Sequence, residues 1–532
     1  MKIKRALLPV GVFMLFGMSA GLMAKSINSS NDIKQVKADT ADVTISTDAE
    51  FANFISAVNG GTRYDNELVQ LAADVSYEIT AKPTAAEPYS IFAGTFDGLN
   101  HTITITVNLA ESMPSLFRNL GNGDFKNAVF KNTNINYSIT SCLTTGKVYA
   151  APVATYNNGL IQNVHSTISY DEQDVTYIGG IVEKNQAIGQ AIGIIEDCSV
   201  NGSIRAKGYI GGIASENLGI IRNCVNNCAL TSAGAYAGGI TAINGTSGFV
   251  KAKIINCVNN ANISSTGTDL GGIAGFQYSN SETSYCDNYG SITSTSTKSG
   301  YSYGGIIGRI DGADSNADHA TKVEYCYNAG NLSTIKNAGG IIGMVNSGAT
   351  PAVQVSGCFT TGNVNVTTAN GGTLIGWSNS NNLILNDTHA AGAKSGVTTL
   401  GIGGGNAKAT TTSVADGVSD DFRAIIKAIR EYNCAAIPGF NTLYNGLVDS
   451  EKTLLDEINY YDDINTYAMK TYGQAAEYII QYIIGNQAYG ARIPLLNLDN
   501  NYCAVIIVIS VMVFSITLMM FVIRRKKHVA NK

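Results

Sequence analysis

Charge and proline are both scarce in this chain. Of 532 residues, 35 are Lys or Arg and 40 are Asp or Glu, so charged residues make up 14%, against about 25% in ordinary soluble domains. Hydrophobic residues reach 45%, which excludes a disordered chain, because disorder needs the opposite balance. The net charge of −5 provides no basic field and argues against nucleic acid as a partner. Eight prolines exclude collagen and Pro-rich linker architecture. Five histidines, none in an HExxH pattern, leave no zincin peptidase signature, and no nucleophile elbow, phosphate-binding loop or dinucleotide fingerprint occurs. Glycine is abundant at 57 residues. With few charges and many Asn, Ser and Thr, it points to short strands and tight turns.

The two ends place the chain in a membrane system. Residues 1–24 read as a signal peptide: Lys2, Lys4 and Arg5 precede a short apolar core and then small residues up to Ala24. Residues 503–523 form an uncharged apolar stretch long enough to cross a hydrocarbon core about 30 Å thick. The basic tail 524–532 opens with Arg524, Arg525, Lys526 and Lys527 and should stay cytoplasmic, leaving the bulk of the chain outside. A sortase anchor would need an LPxTG-like pentapeptide; Ile493-Pro494-Leu495-Leu496-Asn497 lacks the Thr-Gly.

The middle is a repeat. Gly-Gly pairs begin at Gly179, Gly211, Gly238, Gly271, Gly304, Gly339 and Gly371, recurring roughly every 30 residues. Between them a second phrase recurs around Cys198, Cys224, Cys257, Cys286, Cys326 and Cys358. Each unit offers three short strand-like pieces separated by Gly, Asn and Asp, with no helical period. Like residues recurring in register make a coil of parallel strands, a β-helix. About nine coils stacked at ~4.8 Å would form a rod roughly 43 Å long. A propeller would need about four strands in a longer unit. The six recurring cysteines should form one interior column of reduced thiols, since stacked neighbours point the same way and sit too far apart for the ~3.8 Å Cβ separation of a disulfide.

The segments Gly272-Ile273-Ala274-Gly275, Gly305-Ile306-Ile307-Gly308 and Gly340-Ile341-Ile342-Gly343, preceded by the phrase from Phe92 to Ile103, resemble the GLUG motifs of bacterial secreted and surface proteins. The units at Gly180, Gly212 and Gly239 end in Glu183, Ser215 and Ala242 instead of Gly. The resemblance covers roughly residues 40–380. It implies a right-handed parallel β-helix of the pectin-lyase-like kind on a surface protein. GLUG units also accompany IgA-cleaving metallopeptidases, as non-catalytic regions.

The flanks read as helical. Thr47 and Glu50 have capping-box spacing, and Phe51, Phe54, Ile55 and Val58 follow helical period, as a helix plugging the first coil would. The expected organisation is therefore an N-terminal cap with first coils over 40–115, a parallel β-helix over 116–412 and a small helical stalk over 415–490.

Chemistry is sparse. Asp171, Glu172 and Asp174 form one acidic cluster, and Asp311, Asp314, Asp318 and His319 another; His319 stands where a calcium loop would need Gly. Cys224 and Cys228 approach zinc spacing without a second pair. The expectation is a membrane-anchored surface protein, not an enzyme, with no catalytic, metal or cofactor residues. Its rod would bind a glycan or an extracellular protein. The alternative is a polysaccharide lyase or glycosidase, which would need aligned carboxylates and basic residues along a groove of the rod.

Overall fold

The architecture was established from a computed structural model. It describes residues 40–480 except 81–89, 109–112, 125–126, 142–146, 172–174, 235, 247–250, 268, 298–299, 313–318, 347–351, 381, 396–400, 405–416, 431–438 and 460–470. The expected signal peptide, membrane helix and basic tail lie outside the described residues. Among those described, no helix is long and apolar enough to cross a membrane.

The chain winds into a parallel β-solenoid of about nine turns. One sheet of 32 strands supplies two sides of the coil, and a sheet of ten strands, from Ile91–Phe92 to Ile375–Ser378, supplies another. Every ladder in these two sheets is parallel, and like positions of the repeat sit over one another. Ala154, Val182, Ala214, Thr241, Ala274, Ile307, Ile342 and Ile375 are successive partners.

Stacking explains the sequence phrases. At the first residue of the Gly-Gly pairs from Gly179 to Gly339, and at Gly372 of the last pair, a Cβ would collide with the carbonyl three residues on: 1.7 Å from that of Ala214 at Gly211, and 1.8 Å from that of Ile307 at Gly304. Only glycine lets the corner close so tightly. The residue before each recurring cysteine is left-handed, with φ of 56° at Asp197, 55° at Asn223, 52° at Asn256 and 57° at Tyr325. Asn and Asp tolerate that conformation best. The thiol that follows then donates to the carbonyl two residues back, at 3.1 Å from Cys198 to Glu196 and 3.3 Å from Cys257 to Ile255. Thr133 and Thr388, at the two ends of the same column, make the same bond with a hydroxyl. Cysteine serves here as a small, apolar, weakly donating corner piece. The seven cysteines described are buried and free.

Two amide ladders run inside the rod. Asn157, Asn185, Asn217, Asn244 and Gln277 pass a side-chain hydrogen bond from coil to coil at 2.8, 2.9, 2.9 and 3.4 Å. Asn226, Asn259, Asn288 and Asn328 form a second ladder at 2.8, 2.7 and 2.8 Å, which ends on Thr360. Each buried amide is thereby satisfied by its neighbours above and below.

Helix α1 (Asp48–Asn59) begins with the Thr47–Glu50 capping box and buries Phe51, Phe54, Ile55 and Val58. Its rings meet Phe92, Phe96 and Phe117 of the first coils. The exposed edge of the first coil is thus covered by an aromatic plug.

The C-terminal helices depart from the expected stalk. Helices α2 (Asp420–Arg430), α3 (Phe440–Gly446), α4 (Asp449–Glu457) and α5 (Tyr472–Tyr478) lie on the flank of the rod and share a core with Tyr327, Phe359 and Ala391. Arg430 fixes the contact. It donates to both oxygens of Asp287 at 2.6–3.0 Å, to the Tyr472 hydroxyl at 2.7 Å and to the Tyr325 carbonyl at 3.1 Å, and lies over the Tyr327 ring. Burial would lower its pKa, but Asp287 and Tyr472 hold it well above the usual value. Sequence periodicity showed the apolar faces of these helices but not what they cover.

Two outcomes are expected. In the folded chain Cys198, Cys224, Cys257, Cys286, Cys326 and Cys358 should resist alkylation, and all six should be alkylated after denaturation without reductant, as read by peptide mass mapping; fewer than four would mean a cross-linked column. Arg430→Leu strands a buried carboxylate, a change that costs about 3–5 kcal/mol. Hydrogen exchange should accelerate in α2 while the coils around Cys224 stay protected, and adding Asp287→Asn should restore much of the protection.

Candidate binding face

Of the acidic clusters singled out in the sequence, only Asp171, Asp311 and His319 are among the described residues. Asp171 ends a strand and pairs with exposed Arg205 at 3.5 Å; Glu172 and Asp174 lie outside the described residues. Asp311 ends another strand and accepts from Asn346 at 2.9 Å; Asp314 and Asp318 lie outside the described residues, and His319 follows them. Cys224 belongs to the stacked column, whereas Cys228 pairs with Gly202 on the next strand position, and burial pushes its thiol up to about 12. No group of three His, Cys, Asp or Glu side chains among the described residues could hold a metal ion.

A different set of residues is brought together. Where the 32-stranded sheet turns into the ten-stranded one, the position two before Gly-Gly forms a column. It reads Tyr149, Tyr177, Tyr209, Tyr236, then Asp269, Ser302 and Asn337. Across the corner, the position four after the first Gly forms another: Thr155, Glu183, Ser215, Ala242, then Gly275, Gly308, Gly343 and Gly376. The Ser215 hydroxyl donates to the Tyr209 carbonyl at 3.2 Å, so this second column points back at the tyrosine strand. In the later coils a Cβ would meet that strand's backbone, 2.7 Å from the Ala237 carbonyl at Gly275 and 2.6 Å from the Leu270 carbonyl at Gly308. Next along, Lys184, Glu216, Ile243, Phe276, Arg309, Met344 and Trp377 make a third column.

The tyrosines form a ladder. Tyr149 and Tyr177 stack at 4.9 Å and 9°, and Tyr177 and Tyr209 at 4.6 Å and 4°. Tyr236 then tilts away to meet Phe276 at 4.8 Å, and Phe276 meets Tyr278 at 4.8 Å. The tyrosines are half-buried. Beside the ladder, Lys184 pairs with Glu216 on the next coil at 2.6 Å, and Arg309 with buried Asp269 at 3.4 Å.

Glu183 is the anomaly. Its side chain is 2% exposed, and its Oε2 has no hydrogen-bond partner among the described residues. Burial first, and the neighbouring Glu216 second, push its carboxyl up to about 8, with Lys184 opposing. At neutral pH it is therefore mostly a neutral acid, able to donate as well as accept. Burial likewise lifts Asp269 to about 6 against Arg309 and Ser302, and Tyr236 to about 12. The arrangement is a row of phenol hydroxyls beside an uncharged carboxyl and two closed ion pairs. The row is suited to hydrogen bonding along the rod.

The sequence reading missed this face although its signal was present. The three coils whose fourth glycine is replaced are the coils that carry Tyr two residues before Gly-Gly: Tyr177 with Glu183, Tyr209 with Ser215, Tyr236 with Ala242. The substitutions look like decay of a repeat until stacking shows that they face each other.

No family model matches the chain, and no curated relative matches it. Among solved structures, a crystal structure from Bacteroides ovatus described as "a putative immunoglobulin A1 protease" is similar, with 17% identity and a TM-score of 0.34 over 74% of this chain and 88% of that one. A likeness at that TM-score carries no argument about fold or function.

The buried acid has a testable signature. A carboxyl whose folded pKa is raised contributes stability that is complete below the ordinary value of 4.5 and lost as pH rises through about 8. Glu183→Gln removes the titration. Denaturation midpoints at pH 4.5, 6.5 and 8.5 should show the variant gaining on the native chain across that window, by up to a few kcal/mol; a constant difference would place Glu183 outside the corner.

Proposed function

We propose that this is a membrane-anchored bacterial surface protein whose right-handed, GLUG-type β-helix displays a non-catalytic binding face for adhesion or ligand capture. The observation that carries the reading is the half-buried ladder of Tyr149, Tyr177 and Tyr209, whose hydroxyls have no hydrogen-bond partner among the described residues. The signal-like 1–24, the apolar 503–523 and the basic 524–532 support export, anchoring and a cytoplasmic C-terminus. The rod needs no cofactor for this role.

A second reading has one specific observation behind it. Glu183, Glu216 and Asp269 align along one corner with Lys184 and Arg309, the combination that a glycan-active enzyme would use, and a protonated Glu183 beside Glu216 has the form of a general acid next to a carboxylate. Against it, Glu216 is held by Lys184 at 2.6 Å, and Glu183 is almost fully covered.

Cells displaying the full chain, tagged after Lys532, test the first reading. Protease on intact cells should remove rod epitopes and spare the tag. The cells should adhere to members of a panel of coated glycans and extracellular-matrix proteins, and a Tyr149→Ala/Tyr177→Ala/Tyr209→Ala variant should lose that adhesion. Loss of the tag with retention of the rod would overturn the topology, and adhesion unchanged in the triple variant would overturn the binding face. Release of reducing or unsaturated sugar from the bound glycan, abolished by Glu183→Gln, would establish the enzyme instead.

A further inference from the structure

The corner also carries information about what fits it. Because Tyr149, Tyr177 and Tyr209 lie at 4.6–4.9 Å within 9° of parallel, each ring face covers the next. The ladder offers no open slot for an intercalating planar ligand. It offers ring edges and one phenol hydroxyl per coil, each a donor and an acceptor, with no hydrogen-bond partner among the described residues. Glu183 lies under the same row, covered, its Oε2 without a hydrogen-bond partner among the described residues. At the far end Tyr236 and Tyr278, half-buried, tilt against the buried Phe276 ring between them by 39° and 59°, which breaks the parallel stack.

Charge narrows the class. Lys184 and Arg309 are committed to Glu216 and Asp269, and Lys147 lies over the Tyr177 ring at 5.9 Å. A polyanion would meet two side chains already paired with carboxylates and one exposed cation, Lys147. An extended peptide fits poorly too. The flanking strands spend their backbone groups on neighbouring coils, so no edge is free for strand addition, and a peptide's rise of about 3.3 Å per residue falls out of step with a coil rise of ~4.8 Å. A chain rich in hydroxyls, uncharged, and presenting similar groups at each unit matches a row of phenols.

We propose that the Tyr149–Tyr177–Tyr209 row, with the tilted Tyr236 and Tyr278 at its end, binds an uncharged glycan laid along the rod axis. This rests on the binding-face reading and names its ligand class. The phenols hydrogen-bond the sugar hydroxyls, and the tilted rings of Tyr236 and Tyr278 take the apolar face of a terminal sugar unit.

The test uses the full chain in detergent micelles, titrated calorimetrically with mannan, xylan, laminarin and chitin oligosaccharides as neutral probes, and with polygalacturonate and heparin as anionic ones. At least one neutral glycan should bind, with little salt dependence and with affinity rising with oligosaccharide length until the row is spanned. Tyr177→Phe and Tyr209→Phe, which remove only a hydroxyl, should each weaken binding about three- to tenfold. Circular dichroism checks that each variant is folded. Binding of the anionic probes alone with a steep salt dependence, no neutral probe bound, or affinity unchanged in both Tyr→Phe variants would overturn the proposal. If the neutral probes fail while displaying cells still adhere to a matrix protein through the tyrosine row, the glycan assignment falls and the binding face stands.

Discussion

Register is the constraint on which the rest of this structure depends. A parallel coil places each residue directly over its counterpart one turn away, at ~4.8 Å, so any side chain must be compatible with copies of itself above and below. Glycine pairs survive because a Cβ would strike a carbonyl in coil after coil. Asparagine survives in two interior columns because its amide can donate upward while its oxygen accepts from below, and each link satisfies a buried polar group that would otherwise be costly. The left-handed residue followed by cysteine survives because the turn exposes a carbonyl that a thiol, or at the column ends a threonine hydroxyl, can reach.

The same constraint turns local substitutions into a surface. A tyrosine at one corner is a single exposed ring; tyrosines at the same corner of consecutive coils are a ladder, because the register stacks them whether or not the rings attract each other. Glu183 becomes a neutral acid by the same logic, since it occupies a position where later coils close down to glycine, and the protein around it leaves little water to solvate a charge. The two decorated flanks lie at different lengths of the rod. Tyrosines mark the coils from Tyr149 to Tyr236, and helices cover the later coils from Asp287 to Ala391. The helices stay attached through a buried Arg430–Asp287 pair whose every hydrogen bond is satisfied, and that is the condition under which a buried ion pair holds rather than destabilises.

The sequence by itself determined the winding. Gly-Gly pairs at a period of about 30 residues, strands too short for anything but a coil, the Thr47–Glu50 capping box before Phe51 and Phe54, and cysteines recurring at one position all encode local or repeated geometry, which is readable without knowing what lies opposite. Tertiary structure alone decided the rest. It set Tyr177 across from Glu183, left the Glu183 oxygen without a partner, split Cys228 from Cys224 into separate columns, and laid α2 against Tyr327 and Phe359 where periodicity had suggested a stalk. Those facts depend on which residues face each other across a corner or between distant segments. A one-dimensional pattern carries the period of a repeat, but the field, solvation and partners of a side chain are set by neighbours tens to more than a hundred residues away, as Arg430 is from Asp287.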